Sequence, residues 1–415
     1  MAEQMKPSGI DYIGDIPQSW IVKRFKYCAQ ICNGAEYADI EVEEGGYPVI
    51  GSGGEFARAS KYCYSGQSVL LGRKGTIDKP LFVDGSFWCV DTMFFTKPQK
   101  DCFSRFLYYC ALCFRFDYYV TSTALPSMTQ KDLGSEYVAV PPTIEQKAIA
   151  NFLDEQCGNI DSIISDLEKQ IDTLQKYKKS LILETVTKGL NKNVLMKSSG
   201  IDWIGEIPAH WETSKIKYNI GLIGSGTTPE SGNPLYYEDG KYNWIQSGDL
   251  YRTDYINSTE KQLTALAIKD SPALTYYEKD FVVIAMYGAS VGNVSISKID
   301  AYTNQACCVI KAKNNDDIRY LFYYLKAAQD EMLLKAFGGT QPNISQIIIK
   351  NLNCLKVPNV EQKSISDYLD DKCGKIDSIL KDKQEQLEKI KQHKKSLIYE
   401  YVTGKKRVKE ATNGN

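Results

Sequence analysis

EQKAIANFLDEQCGNIDSIISDLEKQIDTLQKYKKSLILETVT occupies Glu145–Thr187, and EQKSISDYLDDKCGKIDSILKDKQEQLEKIKQHKKSLIYEYVT occupies Glu361–Thr403. Aligned without a gap, roughly half the positions are identical. In the first copy the apolar spacing runs Ile160, Ile164, Leu167, Ile171, Leu174, then Lys178 and Leu181. In the second it runs Ile376, Leu380, Lys383, Leu387, Ile390, then Lys394 and Leu397. Steps of four and three make a heptad seam, which asks for a partner helix. Lys178 and Lys394 interrupt the seam at the same position, and a matched polar interruption tends to fix register. The simplest partner for each helix is the other copy. The competing reading is two unrelated amphipathic helices, each packed on its own domain. It leaves the identity at polar positions unexplained.

A second repeat supports the first. SGIDYIGDIPQSW at Ser8–Trp20 returns as SGIDWIGEIPAHW at Ser199–Trp211. The order is short motif, long variable segment and helical repeat, then the same three again. Two half-molecules in tandem, related by a pseudo-two-fold axis, are expected. The expected boundaries are 1–20 for the first short motif, 21–142 for the first variable domain and 143–190 for the central helical spacer. Then come 191–211 for a linker and second motif, 212–358 for the second variable domain, 359–406 for the C-terminal spacer and 407–415 for a tail.

Composition narrows the class. The chain has 415 residues, 43% of them apolar, so it can bury real cores. No apolar run nears the ~20 residues that span a bilayer, so no membrane role is expected. The start, MAEQMKPSG, lacks the features of a signal peptide. The twelve cysteines are scattered, apart from Cys110 and Cys113 inside the aromatic run FLYYCALCFRF. Free thiols in a reducing cytoplasm are expected. With only His210 and His393 as histidines, no metal site is expected. The formal net charge is −1, so composition does not announce nucleic-acid binding.

The two variable segments differ in sequence but share an order. In the first, a strand at Ser68–Leu71 leads to the turn GRKGTID at Gly72–Asp78. Strand-like sequence follows over Leu81–Phe95, and an aromatic helix is expected over about Ser104–Tyr119. A polar loop, TSTALPSMTQKDL at Thr121–Leu133, and YVAVPP close it. In the second, FVVIAMYGASVGNVSI at Phe281–Ile296 stands where SVLLGRKGTIDKPLF stood. DIRYLFYYLKAAQDEML supplies the helix, and FGGTQPNISQIIIKNL at Phe337–Leu352 the polar loop. Short strands with Gly and Pro punctuation point to mixed sheets with one or two helices. Shared architecture with divergent loops suits a pair of readers for two different targets.

A search for chemistry returns nothing. There is no G-x-x-x-x-G-K-[ST] phosphate loop and no G-x-G-x-x-G before a helix. Asn233-Pro234-Leu235-Tyr236 approaches the Asn-Pro-Pro-Tyr motif of amino-methylating DNA methyltransferases, but Leu235 breaks it and no methyl-donor loop precedes it. His210 stands where the first short motif has Ser19, which a duplicated catalytic site would not do. No catalytic residue and no cofactor are expected. Recognition remains. Gly/Ser/Thr/Asn/Gln-rich loops suit phosphates and base edges; Asn or Gln pairs with adenine, Arg or Lys with guanine. Candidates in the first segment are Arg73, Lys74 and Thr76 in the turn, with Thr121, Ser122, Ser127, Thr129, Gln130 and Lys131 in the loop. Candidates in the second are Ser225 and Thr227, Tyr287 and Ser290, Asn304 and Gln305, and Thr340, Gln341 and Asn343.

Over essentially its full length the chain resembles the specificity subunits of type I restriction–modification systems. The resemblance rests on the ordered, duplicated set: PPTIEQKAIANFLD and VPNVEQKSISDYLD ahead of the helices, and the LLGRKGTID and IAMYGASVGN turns. TALPSMTQKDL, GGTQPNISQIIIKNL and the twice-used SGIDxIGxIPxxW complete it. It implies an α+β chain. Two mixed α/β target recognition domains would be separated by two long antiparallel coiled-coil helices. It implies that double-stranded DNA with a bipartite target, two modification (methyltransferase) subunits and restriction (endonuclease/translocase) subunits are partners. The catalytic residues would then belong to those partners, with the outer face of the spacer as their docking surface. From Ile160 to Thr187 a helix would span roughly 42 Å at about 1.5 Å per residue. That is near one DNA turn of about 34–36 Å. Two competing functions are a methyltransferase or fused restriction enzyme with its own catalytic site, and a coiled-coil adaptor that binds only proteins.

Overall fold

In the computed structural model, residues 4–119, 126–251, 253–313, 316–337 and 343–408 are described. The chain divides into two units, Met1–Lys169 with Gln384–Asn415, and Gln170–Lys383. The architecture is α+β, and each unit combines mixed sheets with parts of two long helices. Those helices run over Thr143–Lys188 and Asn359–Val402, 46 and 44 residues.

In the first unit an antiparallel four-stranded sheet has the order Ala29–Asn33, Met93–Pro98, Ser68–Gly72, Leu81–Val83. A second sheet orders Gly54–Ala59, Tyr47–Gly51, Ser86–Cys89 and Tyr64–Ser65, with one parallel pair at Val49 and Trp88. Ile21–Arg24 pairs with Tyr137–Val140, which delivers the chain into the first long helix. The second unit repeats the plan. Its main sheet orders Ile220–Ser225, Cys307–Ala312, Phe281–Ala285, Val294–Ser297 and Tyr255–Ile256. A smaller sheet orders Gln262–Leu263, Tyr242–Ile245 and Tyr302–Thr303, again with a parallel pair, and Glu212–Lys215 pairs with Asn353–Lys356. Ser68–Gly72 and Phe281–Ala285 are buried throughout. This explains their unbroken apolar sequence, since a strand covered on both faces does not alternate.

The aromatic helices are shorter than expected. The first ends at Ala111, and a separate 3-10 turn covers Phe116–Tyr119. Arg115 between them lies over the rings of Tyr12 and Tyr118, at 4.2 and 4.3 Å. The second breaks into Ile318–Ala327 and Gln329–Leu334 at Ala328. The long helices instead begin earlier than the heptad seam, directly after Pro141-Pro142 and Pro358.

Each unit contains a stretch of both long helices, running antiparallel. In the first unit Lys394 meets Asp161 at 2.6 Å and Lys391 meets Glu168 at 3.0 Å, one number falling as the other rises. In the second unit Lys178 meets Asp377 at 2.7 Å, and Lys383 donates to Gln170 Oε1 at 2.5 Å. Along the seam, Ile160, Leu167 and Ile376 are buried. Ile164, Ile171, Leu174, Lys178 and Leu181 are half-buried, as are Leu380, Lys383, Leu387, Ile390, Lys394 and Leu397. Lys178 and Lys394 are thus not lone interruptions, because each is neutralised by an aspartate from the repeated IDSI.

The short motif ties each pair at its end. Trp20 and Trp211 are fully buried. Trp20 donates from Nε1 to Glu145 in the first turn of one long helix, at 3.1 Å. It also packs beside Gly404, just past the end of the other. Trp211 does the same with Glu361 at 3.1 Å and with Gly189. Gly189 and Gly404 both have φ +72°, the left-handed conformation that ends helices and suits glycine. A full indole buried among these groups is among the largest single apolar contributions available to a core.

The aromatic helices bolt onto the long ones by a second duplicated device. Asp154 Oδ1 accepts from Arg105 Nε at 2.7 Å and from Tyr109 Oη at 2.6 Å. Asp370 accepts from Arg319 Nη1 at 2.6 Å and Tyr323 Oη at 2.8 Å. Gln146 accepts from the backbone N–H of Phe103 at 2.8 Å, and Gln362 from that of Asp317 at 3.0 Å. The repeated EQK and LD letters of the opening stretch are therefore mounts for the variable domains.

Candidate nucleic-acid interface

In the first unit the chain leaves the buried strand Ser68–Gly72 into the GRKGT turn. The turn is stitched to the polar loop by backbone: Met128 N–H donates to Arg73 O at 3.0 Å and Gly75 N–H to Pro126 O at 2.9 Å. Lys74 and Ser127 form an isolated bridge. So Arg73, Lys74 and Ser127, far apart in sequence, stand together. Arg73 donates from Nη1 to Asp91 O at 3.2 Å and lies 5.9 Å from the Phe94 ring, which leaves most of its fork open. Thr76 is half-buried where the turn closes on Gly72. Lys74, Ser127, Gln130 and Lys131 are exposed. Thr129 is committed elsewhere: its hydroxyl accepts from Asp132 N–H at 3.2 Å and caps the helix Gln130–Ser135. Thr121 and Ser122 lie outside the described residues.

The second unit builds the same junction with different letters. Ile344 N–H donates to Met286 O at 2.7 Å, as Met128 does to Arg73. Tyr287 follows Met286 and is half-buried, and burial raises its phenol pKa. Asn343 bridges Phe337 and is exposed. Gln305 is exposed and accepts from Thr228 Oγ1; Ser225 and Thr227 are half-buried at the end of the strand Ile220–Ser225. Ser290 and Asn304 do structural work. Ser290 is buried and donates to Ser247 O at 2.5 Å, while Asn304 Oδ1 accepts from Ala306 N–H at 3.0 Å in a tight turn. Thr340 and Gln341 lie outside the described residues.

Sequence reasoning missed several positions. Asn33 ends the strand Ala29–Asn33 and accepts from Gln130 Nε2 at 3.1 Å. Its counterpart is Ser225, because Asn33 pairs with Phe94 and Ser225 with Cys308 in matching registers. The next residues, Gly34 and Gly226, lie so close to the carbonyls of Val90 and Thr303 that neither admits a Cβ. Ser345 caps the helix Gln346–Asn351 as Thr129 caps its own, so Gln346 is the counterpart of Gln130. The S/T cap followed by a short apolar helix was the available signal. Asn233 caps the turn Pro234–Tyr236, accepting from Leu235 N–H at 3.2 Å, which is a structural use of that near-motif. His210 Nε2 lies 2.8 Å from Glu361 Oε1, beside Trp211 in the helix mount. Among the described residues no cluster of metal-ligating side chains occurs, and no helix is long and apolar enough to cross a membrane.

Known proteins resemble this chain. The type I restriction enzyme MjaVIII specificity subunit of Methanocaldococcus jannaschii is 27% identical over 301 residues, covering 69% of this chain and 66% of the relative. The MjaIX specificity subunit of the same organism is 30% identical over 194 residues, 45% of this chain and 43% of the relative. The chain thus spans less than two thirds of the length of these curated relatives. A chain from a solved structure described as the basis of complex assembly and conformational transition of the type I R-M system superposes with a TM-score of 0.69. It has 15% identity and covers 93% of this chain and 98% of that one. A family model, the type I restriction modification DNA specificity domain, matches residues 17–180 and again 208–389. With two matches that together cover most of the chain, the protein belongs to the type I restriction modification DNA specificity domain family.

Proposed function

We propose that this chain is the non-catalytic, DNA-reading subunit of a type I restriction–modification assembly. Each variable domain, 21–142 and 212–358, reads one half of a bipartite double-stranded target. The helical regions 143–190 and 359–406 set the gap and dock the partners, while 1–20 and 191–211 anchor the helix ends. Two modification subunits supply methyl transfer, restriction subunits supply cleavage, and the assembly works in the cytoplasm. The observation that carries the reading is the junction built twice from non-matching residues, Arg73–Lys74–Ser127 and Met286–Tyr287–Asn343, on mounts that match residue for residue. Matching mounts with divergent tips suit two readers of different sequence. Base edges are read by such side chains, and phosphate contacts can come from partners.

The test is reconstitution with the modification subunits of the same system, followed by methylation mapping. Sequence-specific methylation only when both components are present supports the reading. Methylation by this chain alone would replace it with an enzyme. Exchanging residues 21–142 for the first domain of another family member should change one half-site only; a change in both halves would overturn the modular assignment.

A further inference from the structure

We infer that Asn33 and Gln130 together form an adenine-reading element in the first domain, resting on the DNA-reading function proposed above. The two residues are 97 apart in sequence, both exposed, and joined side chain to side chain at 3.1 Å. An exposed amide–amide bond offers little stability in water, where each group has solvent partners. What matters is geometry: the strand end and the helix start place two carboxamides side by side at the junction that also carries Arg73 and Ser127.

The hydrogen-bonding capacity left over is what matters. Gln130 Nε2 donates to Asn33 Oδ1, so Gln130 Oε1 remains as an acceptor and Asn33 Nδ2 as a donor. Turning both amides over swaps the roles and again leaves one donor and one acceptor. The pair therefore presents a donor–acceptor edge whichever way the amides lie. In the major groove adenine shows an acceptor, N7, beside a donor, N6–H. Guanine shows two acceptors, cytosine a lone donor and thymine a lone acceptor with a methyl group. Among single bases, only adenine satisfies both free groups of the pair.

Its placement is fixed from below. Asn33 sits opposite Phe94 in the sheet, and Arg73 lies over the Phe94 ring. Gly34, pressed against Val90 O, turns the chain directly after Asn33. Gln130 is the first residue of a helix whose start is locked by the Thr129–Asp132 capping box. The second domain keeps the glycine and the glutamine, as Gly226 and Gln346, but puts Ser225 where Asn33 stands. A hydroxyl cannot reproduce the amide pair, so the second domain reads a different base at the corresponding place.

The experiment uses the full chain reconstituted with its modification subunits, and its mapped target DNA. Adenines of the half-site read by residues 21–142 are replaced one at a time by 7-deazaadenine, which lacks the N7 acceptor, or by purine, which lacks the amino group. At one adenine each analogue should weaken wild-type binding about ten-fold, within the range for a bidentate contact. With Asn33→Ser or Gln130→Ala the same analogues should cost less than two-fold, while the other half-site and the gap stay as in wild type. Because both side chains are exposed, the melting temperatures of the variants should match wild type. A first half-site without adenine, or analogue penalties unchanged in both variants, overturns the assignment and leaves the DNA-reading function standing. Absence of any sequence-specific methylation overturns both.

Discussion

Asp154→Ala should release the first aromatic helix from its mount. The carboxylate accepts from Arg105 Nε at 2.7 Å, Arg105 Nη2 at 2.6 Å and Tyr109 Oη at 2.6 Å, and the two charged side chains are 37% and 29% exposed. Hydrogen bonds to a charged group contribute about 1.5–3 kcal/mol each, and partial exposure cuts this down. A loss of about 2–3 kcal/mol follows, with the Tyr109 hydroxyl left without its acceptor. The second unit provides an internal control. Arg319 is also held by Asp317 at 2.7 Å and Asp367 at 2.8 Å, so Asp370→Ala leaves it paired and should cost only about 1–2 kcal/mol. Amide hydrogen exchange read by mass spectrometry separates the two. In Asp154→Ala, exchange over Ser104–Ala111 should quicken roughly 30- to 150-fold while Ile318–Ala327 stays unchanged. In Asp370→Ala the pattern reverses with a smaller amplitude. Equal effects in both helices after either change, or a larger effect from Asp370, would refute the mounting scheme.

Removing seven residues from both long helices in register should shorten the preferred target gap by about 10 Å of helix, roughly three base pairs. Methylation mapping with the modification subunits reads the gap, and an unchanged gap rejects the helices as a spacer. Gly404→Ala should destabilise the first unit by about 2–4 kcal/mol, because φ is +72° and the new methyl would meet Pro17 and Trp20. Gly374→Ala, in open space within a long helix, should instead stabilise by about 0.5–1 kcal/mol, and thermal melts of the pair give the contrast directly. Tyr119 has its phenol pKa pushed up from 10.0 to about 12, first by burial and then by its 2.8 Å bond to Glu136. Its contribution is therefore full below about pH 10 and fades as the pH rises through about 12. The phenolate absorbance of wild type minus Tyr119→Phe should titrate in that window; titration at the ordinary value would reject the contact.

Much of this was written in the repeats. The 4–3 spacing from Ile160 to Leu181 marked a stripe that is buried or half-buried along its length, and Lys178 and Lys394 both meet an aspartate of the other helix. Their partners, Asp161 and Asp377, were visible in the repeated IDSI but became partners only once the helices ran antiparallel. The mounts were harder to see. Arg105 and Tyr109 match Arg319 and Tyr323 at the same spacing, yet nothing local says that an arginine beside an aromatic reaches an aspartate 49 or 51 residues on. The loops were least legible. Thr129 and Ser290 look alike as polar loop residues, but one caps a helix on the surface and the other fastens a buried turn. Asn33 carries no local signal, and its nearness to Gln130 is a product of tertiary packing that no short stretch of sequence encodes.

The tryptophan ties also bear on how the protein is born. Residues 170–383 form one unbroken piece of chain, so the second unit is complete once its last helix turn clears the ribosome. The first unit is not. Its core includes Ile398 and Val402, and Trp20 packs against Gly404, all made only after the whole second unit. Translation runs at about 5–20 residues per second, so the N-terminal domain waits on the order of ten seconds or more with its floor open. The first unit should therefore close after the second, and a chaperone that protects this protein would be needed on the first unit.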